Sequence, residues 1–257
     1  MPDRTYPLEL RVAADSGHLY RMAADEFTRI ARDAVGANGR FTVALAGGST
    51  PRGIYSLLAE DARKSATTLP WDRMHFFWGD ERCVLPDHPD SNYRMASETL
   101  LSEVPVPPAN VHRVRTELPA AEAAAEYEAM LREFFQLEPG LFPRFDLVML
   151  GMGADGHTAS LFPNTAALSE NLHLVAANWV DKFQAYRITL TLPVLNTASE
   201  VMFVVSGGDK ADVVRQVLAG QSSGRIYPAA RVRPTSGHLL WLMDSAAAAF
   251  LPAHLPR

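Results

Sequence analysis

The chain has 257 residues, a hydrophobic fraction of 47%, a charged fraction of 21% and a net charge of −5. This composition suits a folded globular protein with a sizeable core, and the acidic balance excludes the broad basic surface that nucleic-acid binding requires. The lone Cys83 excludes an internal disulfide or a cysteine-based zinc cluster and fits a reducing compartment; with no apolar leader core and no run of roughly 18 apolar residues, a cytoplasmic protein is expected.

Leu8 to Ala13 alternates as a first strand. Ser16 to Val35 follows as an amphipathic helix with Leu19, Met22, Ala23, Phe27, Ile30 and Ala31 on one stripe. Phe41 to Ala46 is a second strand, running straight into Gly47-Gly48-Ser49-Thr50-Pro51 and a helix through Ile54, Tyr55, Leu57 and Leu58. Glycines admit close backbone approach, proline suits a first helical position, and the free first-turn amides favour an anion. The same residues also make a plain capped turn, and the lysine of a P-loop is missing.

Met74 to Trp78 is a third strand, ending in Gly79-Asp80-Glu81-Arg82. Arg82 therefore reads either as a crevice residue or as part of a solvated loop with an internal ion pair. The loop continues to Asp90 before Ser91 or Asn92 caps a helix through Leu101, and long loops on a rigid scaffold often carry function. Cys83 has no histidine beside it in sequence and reads as structural. Val104 to Pro108 is a rigid connector, Val111 to Val114 a short strand, and Ala121 to Phe135 a helix stopped by Pro139-Gly140.

Phe145 to Leu150 is apolar throughout, as for a buried strand of a parallel sheet. Gly151, Gly153 and Gly156 follow, interleaved with Asp155 and His157. Ligands of open α/β sheets bind beyond the carboxyl ends of the strands, and a carboxylate and an imidazole there suit acid–base chemistry. Gly151 to Gly156 also spells the dinucleotide fingerprint G-x-G-x-x-G. That motif needs a long following helix and an acid about 20 residues on; here Pro163 intervenes and His173 to Asn178 holds no acid.

Leu172 to Ala176 and Arg187 to Leu192 read as strands, with Arg187 at the start of the second as either a surface or a crevice charge. Val201 to Val205 is a further apolar strand, leading through Ser206-Gly207-Gly208-Asp209-Lys210 into a helix ending near Leu218. A lysine at a helix start opposes the dipole and points to an anionic ligand. Leu239 to Met243 is the last strand, preceded by a structural His238, and Ala246 to Leu251 a short closing helix. No linker or repeat divides residues 1–257, which read as a single α/β domain with a doubly wound, mainly parallel sheet flanked by helices. The strands from Phe41, Met74, Phe145 and Val201 are expected to end on one side. The eight histidines lack metal-ligand spacing, and no metal is expected.

Taken together, Ala46-Gly-Gly-Ser-Thr-Pro51, Trp78-Gly-Asp-Glu-Arg82, Gly151 to Pro163, Arg187-Ile-Thr189 and Ser206-Gly-Gly-Asp-Lys210 occur in the order seen in the 6-phosphogluconolactonase family. The chain resembles that family over nearly its full length. The resemblance implies hydrolysis of 6-phospho-D-glucono-1,5-lactone to 6-phosphogluconate in the oxidative pentose phosphate pathway, with neither metal nor organic cofactor. A small sugar-phosphate lactone is the implied partner, with no nucleic acid and no membrane; the oligomeric state is not legible. It makes His157 and Asp155 the catalytic pair and Gly47, Gly48, Ser49, Thr50, Asp80, Arg82, Arg187 and Lys210 the substrate-binding set. His157, an imidazole of the kind ordinarily neutral at pH 7, would take a proton from water attacking the lactone carbonyl and return it to the ring oxygen. Asp155 would orient the ring or stabilise its charge, and spacing does not say whether the two side chains meet. The phosphate would lie over the Gly47–Thr50 amides, with Arg82, Arg187 and Lys210 unassigned between phosphate and oxyanion. Neither a G-x-S-x-G serine nor an activated cysteine is visible, so water is the expected nucleophile.

The related glucosamine-6-phosphate deaminase family shares the G-G-S-T-P and D-G-H elements but reads D-G-H-I-A-F-N-E-P, with a glutamate before the proline. Here Phe162 takes that place. Ring opening and amine isomerisation call for carboxylate proton shuttles, whereas lactone hydrolysis needs one base and a water, so Phe162 favours the lactonase. A catalytically silent sugar-phosphate sensor would keep the phosphate turn but have no use for His157 and Asp155. A first strand at Leu8 also leaves no room ahead of it for a helix-turn-helix.

Overall fold

The computed structural model describes residues 7–64, 69–219 and 227–252. Six strands form one parallel sheet: β1 (Leu8–Ala13), β2 (Phe41–Leu45), β3 (Met74–Trp78), β5 (Leu147–Leu150), β8 (Glu200–Val205) and β9 (His238–Asp244). Every residue of β2 and β5 is buried, which is why these segments read as unbroken apolar runs rather than alternating ones. The spatial order is β1-β9-β8-β5-β2-β3. From β2 the chain steps outward to β3, and from β5 it steps the other way to β8 and β9. The order thus reverses between β2 and β5, and such a reversal opens a crevice at the carboxyl ends of the two strands. As expected, the strands from Phe41, Met74, Phe145 and Val201 end on one side.

The helices α1 (Ser16–Asn38), α2 (Ser49–Lys64), α3 (Asn92–Ala96), α4 (Ala120–Phe134), α5 (Leu192–Thr197) and α6 (Ala211–Ala219) complete the set. α1 buries Leu19, Ala23, Phe27, Ile30 and Ala31 as its periodicity requires. Asp15 caps it by accepting from His18 N at 2.9 Å, and Gly39 ends it in the left-handed conformation. Two buried tyrosines fasten helices to the strand ends that lead into the crevice. Tyr55 of α2 accepts from Ala46 N and donates to Ala46 O, at 3.1 and 2.9 Å. Tyr127 of α4 does the same at Trp78, at 2.8 and 3.1 Å. Each supplies both partners that a strand-end residue otherwise lacks when buried, and burial pushes both phenols up.

A second, antiparallel sheet was not expected. Its order is β4-β7-β6, from β4 (Asp80–Arg82), β7 (Ala185–Leu190) and β6 (Val175–Val180). The Asp80–Arg82 segment, read from sequence as the start of a loop, pairs with Arg187–Thr189. The strand expected at Leu172–Ala176 begins only at Val175. The one expected at Arg187–Leu192 runs two residues earlier, because α5 begins at Leu192 with Pro193 in its first turn. Val111–Val114 shrinks to a single bridge between Val111 and Phe76. Ala246–Leu251 forms turns rather than a helix. Asp244 Oδ1 captures Ala247 N there, and so short an alanine run does not offset the cost of helix nucleation. Among the described residues no helix is long and apolar enough to cross a membrane.

Candidate active site

The turns after β2, β3, β5 and β8 enclose a cavity of about 440 Å³. Of the ten residues singled out by sequence, eight line it: Gly47, Gly48, Ser49, Thr50, Asp80, Arg82, His157 and Lys210. Asp155 and Arg187 stand behind the lining, each against a residue that reaches it. Among the described residues, no group of three or more His, Cys, Asp or Glu side chains is arranged to hold a metal ion.

Asp155 and His157 do meet. Asp155 Oδ1 lies 2.5 Å from His157 Nδ1 and also accepts, at 3.3 Å, from the His157 amide. That hydrogen bond, offset in part by burial, holds the Asp155 carboxyl well below the usual carboxylate range. An ionised carboxylate can only accept, so Nδ1 carries the hydrogen in the neutral ring and Nε2 keeps the lone pair. Gly153 explains the tightness of the turn. A Cβ there would lie 2.1 Å from both Nδ1 and Cε1 of His157, so the imidazole packs directly on a bare Cα. The ring's face stacks on Phe162, centroids 4.2 Å apart and planes 22° from parallel. Ala229 N donates to Gly156 O at 3.0 Å and ties the turn down.

Opposite this pair, Gly47 to Thr50 open the first turn of α2, whose leading amides have no intrahelical acceptor and sit at the positive end of the helix dipole. Gly47 is needed for a different reason. A Cβ there would meet Asn92 Oδ1 at 1.8 Å. Asn92, read from sequence only as a possible cap, is buried, lines the cavity and donates to Asp80 O at 2.9 Å.

Cations come from three further elements. Arg82 Nη1 donates to Asp90 O at 2.6 Å and faces Arg187 directly across the β4–β7 pair. Like charges opposite one another on strands are unfavourable, so this pairing is one that an anion would stabilise. Arg187 packs on the Phe183 ring at 5.0 Å, and its Nε is buried without a hydrogen-bond partner. Burial, then Arg82, lowers its pKa. Lys210 ends a short 3₁₀ turn ahead of α6 and donates to Asp209 at 2.6 Å. That loop is set by buried Asp244, which accepts from the Ser206 hydroxyl at 2.5 Å and from Gly207 N.

Glu81 was not recognised from sequence, and it is no ion-pair partner of Arg82. Its buried carboxylate accepts from Arg82 N, Asn92 N and Tyr93 N at 2.7–2.8 Å and from the Ser91 hydroxyl at 3.2 Å. Burial pushes this carboxyl up while those amides pull it down. It thereby folds the 82–91 loop back onto α3 and fixes the backbone from which Arg82 and Asn92 project. Asp80 Oδ2 accepts from Ser160 Oγ at 2.6 Å, joining β4 to the segment that follows His157.

Residues 14–241 match the family model described as glucosamine-6-phosphate isomerases/6-phosphogluconolactonase. A 6-phosphogluconolactonase of Nostoc sp. is 48% identical over 219 residues, covering 85% of this chain and 88% of that protein. One from Synechocystis sp. is 44% identical, covering 86% and 88%. Among solved structures, the 6-phosphogluconolactonase of Trypanosoma brucei superposes with a TM-score of 0.85 at 28% identity, covering 96% of this chain and all of that one. A monomeric glucosamine-6-phosphate deaminase shares the fold, with a TM-score of 0.78 at 18% identity over 94% of this chain and 99% of that one.

Proposed function

The chain belongs to the glucosamine-6-phosphate isomerase/6-phosphogluconolactonase family, and from that premise we propose that it hydrolyses 6-phospho-D-glucono-1,5-lactone to 6-phospho-D-gluconate. The reaction belongs to the oxidative pentose phosphate pathway, and the protein acts in the cytoplasm as one domain over residues 1–257. The lactonase relatives support the choice of substrate. The observation that carries it within this chain is Phe162. Where the deaminase pattern has a glutamate, this chain lays a phenyl ring flat against the catalytic imidazole. No carboxylate then stands at that position beside His157 to shuttle protons, and one base with one water suffices for a lactone.

His157 Nε2 takes a proton from a water as that water attacks the lactone carbonyl. The carbonyl π electrons move to oxygen, and the tetrahedral intermediate forms without a bond to the protein. Collapse breaks the bond to the ring oxygen, which takes the proton back from His157. Asp155 holds the ring through Nδ1 and stabilises the transient imidazolium, the part a carboxylate plays beneath other catalytic histidines. The Gly47–Thr50 amides, Arg82 and Lys210, with Arg187 behind Arg82, give the positive field for the phosphate and for the oxyanion.

Arg82→Ala or Lys210→Ala should weaken binding of 6-phosphogluconate by about 1.5–3 kcal/mol, the usual range for hydrogen bonds to charged groups. Titration calorimetry reads this directly, and an unchanged affinity would make that residue an ordinary surface charge. The function is tested by lactone hydrolysis, corrected for spontaneous opening, beside ammonia release from glucosamine 6-phosphate. Activity in the second assay alone would overturn the reading.

A further inference from the structure

The β6–β7 hairpin turns over at Asp181–Phe183, a single 3₁₀ turn closed by Gln184 in the left-handed conformation, φ 47°. Trp179 Nε1 donates to Asp181 Oδ1 at 2.7 Å, and Trp179 and Tyr186 meet edge to face across the hairpin with centroids 5.1 Å apart. The tip so fixed reaches the catalytic pair from two directions. Phe183 meets Phe162 edge-on at 5.7 Å, and Phe162 in turn carries the His157 ring. Lys182 Nζ lies 3.5 Å from Asp155 Oδ2, the oxygen that His157 leaves unused, and 5.4 Å from the centroid of the Phe183 ring.

We propose that Lys182 is a positioning residue of this pair: it steadies Asp155 against His157 and limits how strongly that carboxylate stabilises the protonated imidazole. The proposal rests on the lactonase reading only for its consequence in turnover. A carboxylate against Nδ1 favours the imidazolium, and a base that is already protonated cannot take a proton from water. An ammonium on the far oxygen shares the carboxylate's charge and opposes the imidazolium. The other charged groups around the ring have different partners. On β4, Asp80 is bonded to Ser160 and Arg82 to Asp90 O. Across the cavity Lys210 is bonded to Asp209, and Arg187 lies on Phe183. Tyr227, packed under Gly156, donates to Gln216. The Lys182 side chain is 63% exposed, so its influence runs through a high dielectric and weakens with salt.

The test is an NMR titration of the His157 ring in the full-length protein, in Lys182→Met and in Lys182→Arg, at low and high salt. The midpoint in the Met variant should lie above wild type by a difference resolvable in the titration. Arginine should restore it, and the difference should shrink at an ionic strength of about 1 M. The acid limb of kcat/KM on the lactone should move by the same amount. Equal midpoints in wild type and Lys182→Met overturn the proposal, as does an arginine variant that behaves like methionine. A loss of turnover uniform across pH, with no shift in midpoint, reduces Lys182 to a structural role and overturns it as well. A shift in the NMR midpoint between wild type and Lys182→Met, together with a wild-type protein that does not open the lactone, supports the electrostatic role and overturns the lactonase reading instead.

Discussion

Replacing His157 with alanine is expected to lower turnover of the lactone by about 10²–10⁴-fold, the usual contribution of a positioned general base. Binding of 6-phosphogluconate should fall far less, because the contacts proposed for the phosphate lie on the turns after β2, β3 and β8. The fall in turnover is measured after subtracting the spontaneous opening of the lactone, which sets the floor. The cavity walls should survive the substitution, since Gly153 and Phe162 pack on the ring but the turn is also held by Ala229 N on Gly156 O. A His157→Ala protein with near-normal turnover would remove His157 from the chemistry.

Asp155→Asn should cost nearly as much while changing almost nothing in shape. The carboxylate accepts from Nδ1–H and leaves the Nε2 lone pair for water. An asparagine can turn its amide N–H toward Nδ1, which favours the tautomer with hydrogen on Nε2, and that nitrogen cannot accept a proton. Loss of about 10²–10⁴-fold in kcat is expected. Combining it with His157→Ala should give little further loss, because residues that act as one unit are not additive. The pH dependence separates the two groups. The Asp155 carboxyl is depressed below its ordinary value of 3.8, so its contribution to folding is present above that value and is lost only as pH falls toward the lower folded one. Any acid limb seen nearer neutrality therefore does not come from Asp155. An Asp155→Asn protein at wild-type kcat would show that the tautomer is not set by this contact.

The parallel sheet was legible in sequence because buried strands announce themselves as apolar runs and glycine-rich turns mark their carboxyl ends. Phe41 and Met74 begin their strands, Val201 is the second residue of β8 and Phe145 lies two residues ahead of β5, and eight of the ten candidate residues do share one cavity. The antiparallel sheet was not legible. β4 is three residues long and highly charged, and it is a strand only because Arg187–Thr189, about a hundred residues later, lie alongside it. Glu81 was missed for a similar reason: its partners are backbone amides at 82, 92 and 93, which no side-chain pattern reveals. Asn92 looked like a helix cap because its role at Gly47 depends on a packing contact between distant segments. Lys182 sits in an exposed turn with no motif around it, and only the folded hairpin carries it to Asp155.

The central claim is that water, activated by His157, attacks the lactone directly and that the nearby Asp155 carboxylate never becomes the nucleophile. A single turnover in heavy-oxygen water, with enzyme in excess over lactone, tests it most directly. Mass spectrometry is then applied to the quenched product, to the intact protein and to the peptide containing Asp155. The expected result is one heavy oxygen in the carboxylate of 6-phosphogluconate, none in the peptide, and no mass added to the protein at any quench time. Heavy oxygen in the Asp155 carboxylate with an unlabelled product, or a protein heavier by the mass of the lactone, would contradict it.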